Sequence, residues 1–202
     1  MTPFYRLAKT VCNVFCTLAF RLEVHGEQNL PKSGGFILAS NHVTLLDPVL
    51  IGVRIKRQLN FMAKAELFEK RFFGKLIRAL GAFPVERGKG DSTAITTAVN
   101  TVEQGNVLAI FPEGHRSKDG NLQRFKSGAI VVAAQTGADV VPTCVYIENR
   151  EKGVHFRSKI VVRYGNVIPN EQLSIDVSNP STIKKASGLV REAVANLLEE
   201  SK

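Results

Sequence analysis

His42 and Asp47, five positions apart in the segment SNHVTLLDP, are the pair in this sequence best suited to acid–base chemistry. A neutral imidazole accepts a proton near neutral pH, and a carboxylate bound to its other nitrogen fixes the tautomer and stabilises the imidazolium. Residues five apart in a helix point about 140° away from each other, so a turn must bring the two side chains together. Asp47 followed by Pro48 is typical of a helix N-cap and first helical residue, which leaves residues 42 to 46 free to curve back. An aspartate that only caps a helix fits the same pattern, so this segment alone leaves both interpretations open.

A second polar segment, FPEGHRS, follows an apolar run that ends at residue 112. A turn at the end of a strand leaves backbone amides, here that of Gly114, free to face an anion. Arg116 offers a planar guanidinium that matches phosphate, and Glu113 could hold that arginine or accept a hydrogen bond from a substrate. The alternative is a surface turn with an exposed Glu/Arg pair.

Two further cations, Lys64 in FMAKAELF and Arg87 in GAFPVERG, each stand just after a short apolar run. Both are therefore expected at the same end of a sheet as the two polar segments. The histidines and acids of those segments have no spacing typical of a metal site, so no metal is predicted.

Short apolar runs alternate with helical patterns, which predicts one α/β domain with a largely parallel central sheet flanked by helices. The predicted strands are 22–26, 35–40, 59–63, 106–112, 139–147 and 159–165. The predicted helices are 49–55, 66–79, 91–104, 127–136 and 181–199, with Asp91 as an N-cap. Sheets of this kind bind ligands at the carboxyl ends of their strands, so the two polar segments should meet there.

Residues 4–22 predict an amphipathic helix ahead of this domain, with polar residues mostly off the apolar face. The apolar positions on one face are Leu7, Val11, Val14, Phe15 and Leu18. Lys9 and Asn13 interrupt the apolar run, which disfavours a transmembrane helix or a signal peptide. A helix on a membrane surface and a helix that packs on the domain both remain open.

The net charge of +9 is concentrated in residues 1 to 90, which carry 14 Lys/Arg and 6 Asp/Glu. Such a surface suits lipid headgroups, phosphorylated metabolites or nucleic acid. Nucleic acid is disfavoured because no basic face with interleaved aromatics is found, and the chain has no Trp and only 3 Tyr. The three cysteines form no CxxC pair and indicate reduced thiols in a cytosolic setting.

Four segments, in this order, resemble the blocks of the glycerolipid acyltransferase family. NHVTLLDP is similar to the family's NHxxxxD, GAFPVERG to its glycine-to-arginine block, FPEGHRS to its FPEGTRS and VVPTCV to its Val-Pro block. The likeness spans residues 22 to about 165. One departure is His115, which stands where the family usually has threonine or serine.

The resemblance implies a membrane-surface helix over residues 1–21 and an acyltransferase domain over 22–202. It implies acyl transfer from coenzyme A or acyl carrier protein to the sn-2 hydroxyl of 1-acyl-glycerol-3-phosphate, with no metal or other cofactor. His42 would be the base and Asp47 its orienting partner. The substrate-binding residues would be Lys64, Arg87, Glu113, Gly114 and Arg116.

The partners expected from the resemblance are a lysophospholipid, the acyl donor and an anionic membrane, at whose cytoplasmic face the protein would be peripheral. Two alternatives remain open: the same chemistry on glycerol 3-phosphate or another lysolipid, and a lipid- or phosphate-binding protein without activity. The intact His42 and Asp47 argue against the second. The sequence does not distinguish the two acyl donors.

Overall fold

A seven-stranded sheet forms the centre of the molecule in the computed structural model, which describes residues 1–86 and 92–202. The strands are β1 Arg21–His25, β2 Phe36–Ser40, β3 Leu59–Lys64, β4 Ala82–Val85, β5 Val107–Ile110, β6 Val140–Ile147 and β7 Lys159–Tyr164. Their order is β1-β7-β6-β2-β5-β3-β4, and every neighbouring pair is parallel except β6 and β7. The predicted α/β class with a largely parallel sheet is confirmed.

Helices cover both faces of this sheet. They are α1 Pro3–Ala19, α2 Asp47–Leu50, α3 Arg71–Ala79, α4 Ser92–Glu103, α5 Gly128–Thr136, α6 Asn170–Leu173 and α7 Pro180–Glu199. One apolar core lies between the sheet and α4, α5 and α7, and a second contains residues of α1 and α2. Successive residues of β2 enter opposite cores, Ile37 the first and Leu38 the second, as the period of a strand buried on both faces requires.

The pairing of β2 with β5 brings the two polar segments together. Ala39 lies opposite Ile110, so the segments that follow β2 and β5 leave the sheet at the same edge, within a few residues of each other. β3 pairs with the other side of β5 and ends at Lys64. The expected meeting of these segments at the carboxyl ends of the strands is confirmed.

The largest departures from the predicted elements are two helices, α2 and α3, and two unpredicted elements, β4 and α6. The helix predicted over 49–55 is only the short α2, and α3 begins at Arg71 because Ala65–Leu67 form a 3₁₀ turn. The short apolar run before Arg87, which was not predicted as a strand, is β4. Its Pro84 is tolerated because β4 is an edge strand, where a missing N–H need not cost a ladder hydrogen bond. Asp91, the predicted N-cap, lies outside the described residues.

The apolar stripe of α1 faces away from the domain. All five predicted stripe positions are exposed, Leu7 at 65% and Leu18 at 69%. The inward face instead carries Tyr5, whose hydroxyl accepts a hydrogen bond from the Leu59 amide at 3.2 Å, and Lys9, which donates to the Ile55 carbonyl. Among the described helices, none combines the length and the apolarity needed to cross a bilayer.

The three cysteines are free thiols, as predicted. Cys16 and Cys144 are buried, and burial raises the pKa of Cys144 to about 11. A thiol with so high a pKa carries little thiolate at neutral pH and is a poor nucleophile.

Candidate active site

The side chains of His42 and Asp47 meet at the carboxyl end of β2. Nδ1 of His42 lies 2.6 Å from Oδ2 of Asp47, and the side chains are 12% and 0% exposed. With Nδ1 held by the carboxylate, Nε2 is the ring nitrogen left for a substrate. This arrangement suits a histidine that accepts a proton through Nε2.

A single oxygen of Asp47 also shapes the turn that creates this pair. Oδ2 accepts hydrogen bonds from the amides of Val43 at 2.7 Å and Thr44 at 2.9 Å. Residues 42 to 46 therefore curve back onto the carboxylate, as expected. The predicted N-cap role was wrong, because Leu46 occupies that position and Asp47 is the first helical residue, making no capping hydrogen bond.

An aromatic ring fixes the plane of the imidazole from the neighbouring strand. The ring of Phe111, the residue after β5, stacks on His42 with centroids 4.2 Å apart and planes 19° apart. Phe61 of β3 in turn stacks near Phe111, at 6.3 Å. The histidine is therefore restrained by its carboxylate at the ring edge and by an aromatic face.

Glu113 is buried on the backbone side of His42 and does not line the cavity that opens at the imidazole ring. It is 2% exposed; Oε1 accepts from the His42 amide at 2.7 Å and Oε2 from the Gln123 amide at 3.1 Å. Burial raises the pKa of this carboxyl, and the two backbone hydrogen bonds oppose that rise. Glu113 was expected to contact Arg116 or a substrate. In the structure its carboxylate instead binds the backbone amide of His42, the candidate base.

A cavity of about 880 Å³ opens in front of His42. Its walls are mostly apolar and come from α1, α2, α3 and β3, with Cys12, Val49, Phe61, Phe73 and Leu76 among them. A volume of this size can hold a lipid chain as well as a polar group. A ligand in this cavity would therefore contact both the imidazole of His42 and an apolar surface.

Cations line the same cavity. Lys64 and Arg116, both predicted, are present, and Lys64 also pairs with Glu66 at 2.8 Å. Arg87 lies outside the described residues. Two more cations of the wall are Lys9, which donates to the Ile55 carbonyl, and Lys126. The sequence reasoning missed Lys126, which follows FPEGHRS by nine residues in a segment without any motif.

Gly114 gives Lys126 its position. This glycine has φ of +76°, and a Cβ there would lie 2.7 Å from Nζ of Lys126. The Lys126 amide also donates to the Pro112 carbonyl at 2.8 Å. The predicted site residue Gly114 does line the cavity, and its missing side chain leaves room for the lysine. His115 is exposed and is not a lining residue.

Arg150, in the loop after β6, ties the two polar segments together. Its guanidinium donates to the carbonyls of Val43 at 2.8 Å, Ser117 at 2.5 Å and Lys118 at 3.2 Å. The Ser117 amide donates to the His42 carbonyl at 2.8 Å. Arg150 comes from a distant part of the chain, and the sequence reasoning did not identify it.

The chain is similar in sequence to known proteins. A model of the acyltransferase family matches residues 21–146. The 1-acyl-sn-glycerol-3-phosphate acyltransferase of Bacillus subtilis is 33% identical over 140 residues, 68% of this chain and 69% of the relative. The protein of that name from Borreliella burgdorferi is 28% identical over 188 residues, 90% of this chain and 73% of the relative.

A solved structure shares the fold. The crystal structure of the 1-acyl-sn-glycerophosphate acyltransferase PlsC from Thermotoga maritima matches with a TM-score of 0.73 at 24% identity, over 96% of this chain and 80% of that chain. The family match covers the strands that carry His42, Asp47 and the FPEGHRS segment. The chain belongs to the acyltransferase family.

Proposed function

We propose that this protein transfers a fatty acyl group from a thioester to the free sn-2 hydroxyl of 1-acyl-glycerol-3-phosphate, forming phosphatidate. The observation that carries the proposal is the His42–Asp47 pair at 2.6 Å, set in the wall of a cavity lined by both apolar side chains and cations. Two relatives that bear this activity in their names support the choice of acceptor.

His42 is the general base of the proposed reaction. Nε2 takes the proton of the acceptor hydroxyl while its oxygen forms a bond to the thioester carbonyl carbon. The C–S bond then breaks, and the proton passes from the imidazolium to the leaving thiolate. Asp47 stabilises the imidazolium through Nδ1. The acceptor supplies the nucleophile, so no protein nucleophile and no cofactor enter the scheme.

The cations of the cavity are proposed to seat the acceptor phosphate. Arg116 offers a bidentate contact, and Lys64 and Lys126 add positive charge within the same wall. Arg87 is proposed as a further cation on the resemblance alone. Holding the phosphate places the hydroxyl, so these residues act on the chemical step as well as on binding.

The membrane surface is the proposed location, at its cytoplasmic face. The outward apolar stripe of α1 supports this, because a helix that merely packed on the domain would bury that stripe. The proposed donors, acyl-coenzyme A and acyl carrier protein, are both acidic and suit the basic N-terminal half.

The test of the proposed base uses His42→Ala and Asp47→Asn. We expect each to lower kcat about 10²- to 10⁴-fold, the usual contribution of a positioned base. Asparagine can keep its oxygen at the Oδ2 position, and its NH₂ would replace Oδ1, which has no hydrogen-bond partner among the described residues. Circular dichroism and thermal unfolding should therefore show a folded variant.

His25→Ala is the matched control, because His25 is exposed at the end of β1. Turnover of the wild type is measured with lysophosphatidate and with glycerol 3-phosphate, each with both donors. Undiminished turnover by the His42 variant would remove the proposed base. Preference for glycerol 3-phosphate would keep the chemistry and change the acceptor.

A further inference from the structure

Helix α3 exposes an aromatic side chain that the domain does not cover. Phe72 is 84% exposed, more than any other large hydrophobic side chain in residues 1–86 and 92–202. A single exposed apolar residue needs no explanation. This one lies beside a row of cations on a helix that also lines the catalytic cavity.

The orientation of α3 is set by a close backbone contact. Gly74 is the buried residue of this helix, and a Cβ there would lie 2.4 Å from the Phe68 carbonyl oxygen. Any side chain at this position would push α3 away. Phe72 is two residues earlier, about 200° around the helix, so the contact that buries Gly74 turns Phe72 outward.

Phe72 borders the cavity face of α3, because it precedes Leu76 by four residues and is about 40° from it around the helix. Phe73, Leu76 and Ile77 have the i, i+3, i+4 spacing of one helix face, and all three line the cavity. Phe72 does not line it. Its exposure therefore does not serve to enclose the substrate.

The charge around Phe72 is positive. Lys70, Arg71, Lys75 and Arg78 are exposed, against one exposed acid, Glu69, in residues 69–79. An aromatic residue surrounded by lysine and arginine is typical of a helix that lies in the interface of an anionic bilayer.

α3 and α1 both contribute to the wall of the cavity. α1 contributes Ala8 and Cys12 to the cavity wall, and α3 contributes Phe73 and Leu76. Two helices with exposed apolar side chains therefore bound one cavity. Contact of both with lipid would hold that cavity against the surface that contains the acceptor.

We propose that α3 is a second membrane-binding element, which inserts Phe72 among the headgroups of an anionic bilayer while its cations contact lipid phosphates. This proposal depends on the proposed function in one respect: lipid contact by α3 would serve to deliver a lipid acceptor to the cavity. Lipid contact by α3 is measured without turnover, so the two can fail separately.

The experiment uses the absence of tryptophan from this chain. Phe72→Trp introduces one fluorophore, and Val177→Trp is the matched control. Val177 is 56% exposed just before α7, which packs on the opposite face of the sheet from α1. Each full-length variant is mixed with vesicles of phosphatidylcholine, with or without phosphatidylglycerol, and with brominated lipids as quenchers.

We expect a blue shift and quenching for the Phe72 variant with anionic vesicles, and neither for the Val177 variant. Phe72→Ser should weaken vesicle binding about tenfold, the effect of one buried aromatic side chain. Its turnover of a monomeric short-chain acceptor should be unchanged.

Three results would overturn the proposal. The first is an unshifted spectrum with anionic vesicles. The second is a shift produced by acyl carrier protein and not by lipid, which would make α3 a donor-docking surface. The third is a shift that follows protein concentration without lipid, which would indicate self-association.

Discussion

One carboxylate oxygen organises the base at the scale of single residues. Oδ2 of Asp47 accepts hydrogen bonds from Nδ1 of His42 and from two backbone amides. Hydrogen bonds to charged groups contribute about 1.5–3 kcal/mol each, so this oxygen defines both the turn and the imidazole tautomer. The short sequence separation of the pair is why local residues alone could suggest the turn, although they did not exclude a merely capping Asp47.

Single substitutions can distinguish the contributions of the cavity cations to acceptor binding. We expect Arg116→Ala and Lys126→Ala each to raise the KM for lysophosphatidate about tenfold, the value of one charged hydrogen bond. Arg116→Ala should also lower kcat, because its bidentate contact places the hydroxyl. Steady-state kinetics over acceptor concentration provide the measurement.

Lys118→Ala is the control for both variants, since Lys118 is exposed and is not a lining residue of the cavity. An unchanged KM in the Lys126 variant would exclude this lysine from the phosphate seat, whatever the result for Arg116.

Amphipathic periodicity predicted α1 at the scale of elements, but it did not predict which way the stripe faces. The usual expectation is that an apolar stripe packs on the core. The inward side of α1 includes the buried Cys16 and two polar contacts, in which Tyr5 and Lys9 bind backbone groups of residues 59 and 55. Both polar contacts join residues more than 40 positions apart, so periodicity within the helix could not reveal them.

The stripe of α1 can be tested with two neighbouring exposed positions. Leu18→Glu removes an apolar stripe residue, and Thr17→Glu adds the same charge about 100° away on the helix. We expect the Leu18 variant to lose more binding in sedimentation with anionic vesicles, and both variants to unfold at similar temperatures. Equal binding by the two variants would show that the stripe does not contact lipid.

At the scale of the whole molecule, the site depends on loops that several strands bring to one sheet edge. Glu113 links the His42 amide to the Gln123 amide, and Arg150 links the carbonyls of Val43 and Ser117. A buried carboxyl in this network couples the stability of the fold to pH.

The pH dependence follows from the raised pKa of Glu113, which exceeds its ordinary value of 4.5 because of burial. Such a carboxyl stabilises the folded state most below its unfolded-state pKa, and this contribution is lost as pH rises through the folded-state pKa. Glu113→Gln removes the titration. We therefore expect the free energy of unfolding of the wild type to fall relative to the variant as pH rises above 4.5.

Urea unfolding of both proteins across this range measures the difference. A constant offset at every pH would show that Glu113 does not titrate differently in the folded and unfolded states.

The sequence by itself determined the parallel α/β class and most strands, because periodicity acts over a few neighbouring residues. It allowed a turn that pairs His42 with Asp47 but left a merely capping Asp47 as an alternative. Only the tertiary structure decided that Glu113 supports the base, since its partner His42 is 71 positions away. It also decided that Lys126 enters the cavity and that the α1 stripe faces outward. These outcomes depend on which distant backbone groups lie within hydrogen-bond distance, and strand order in the folded sheet sets that distance.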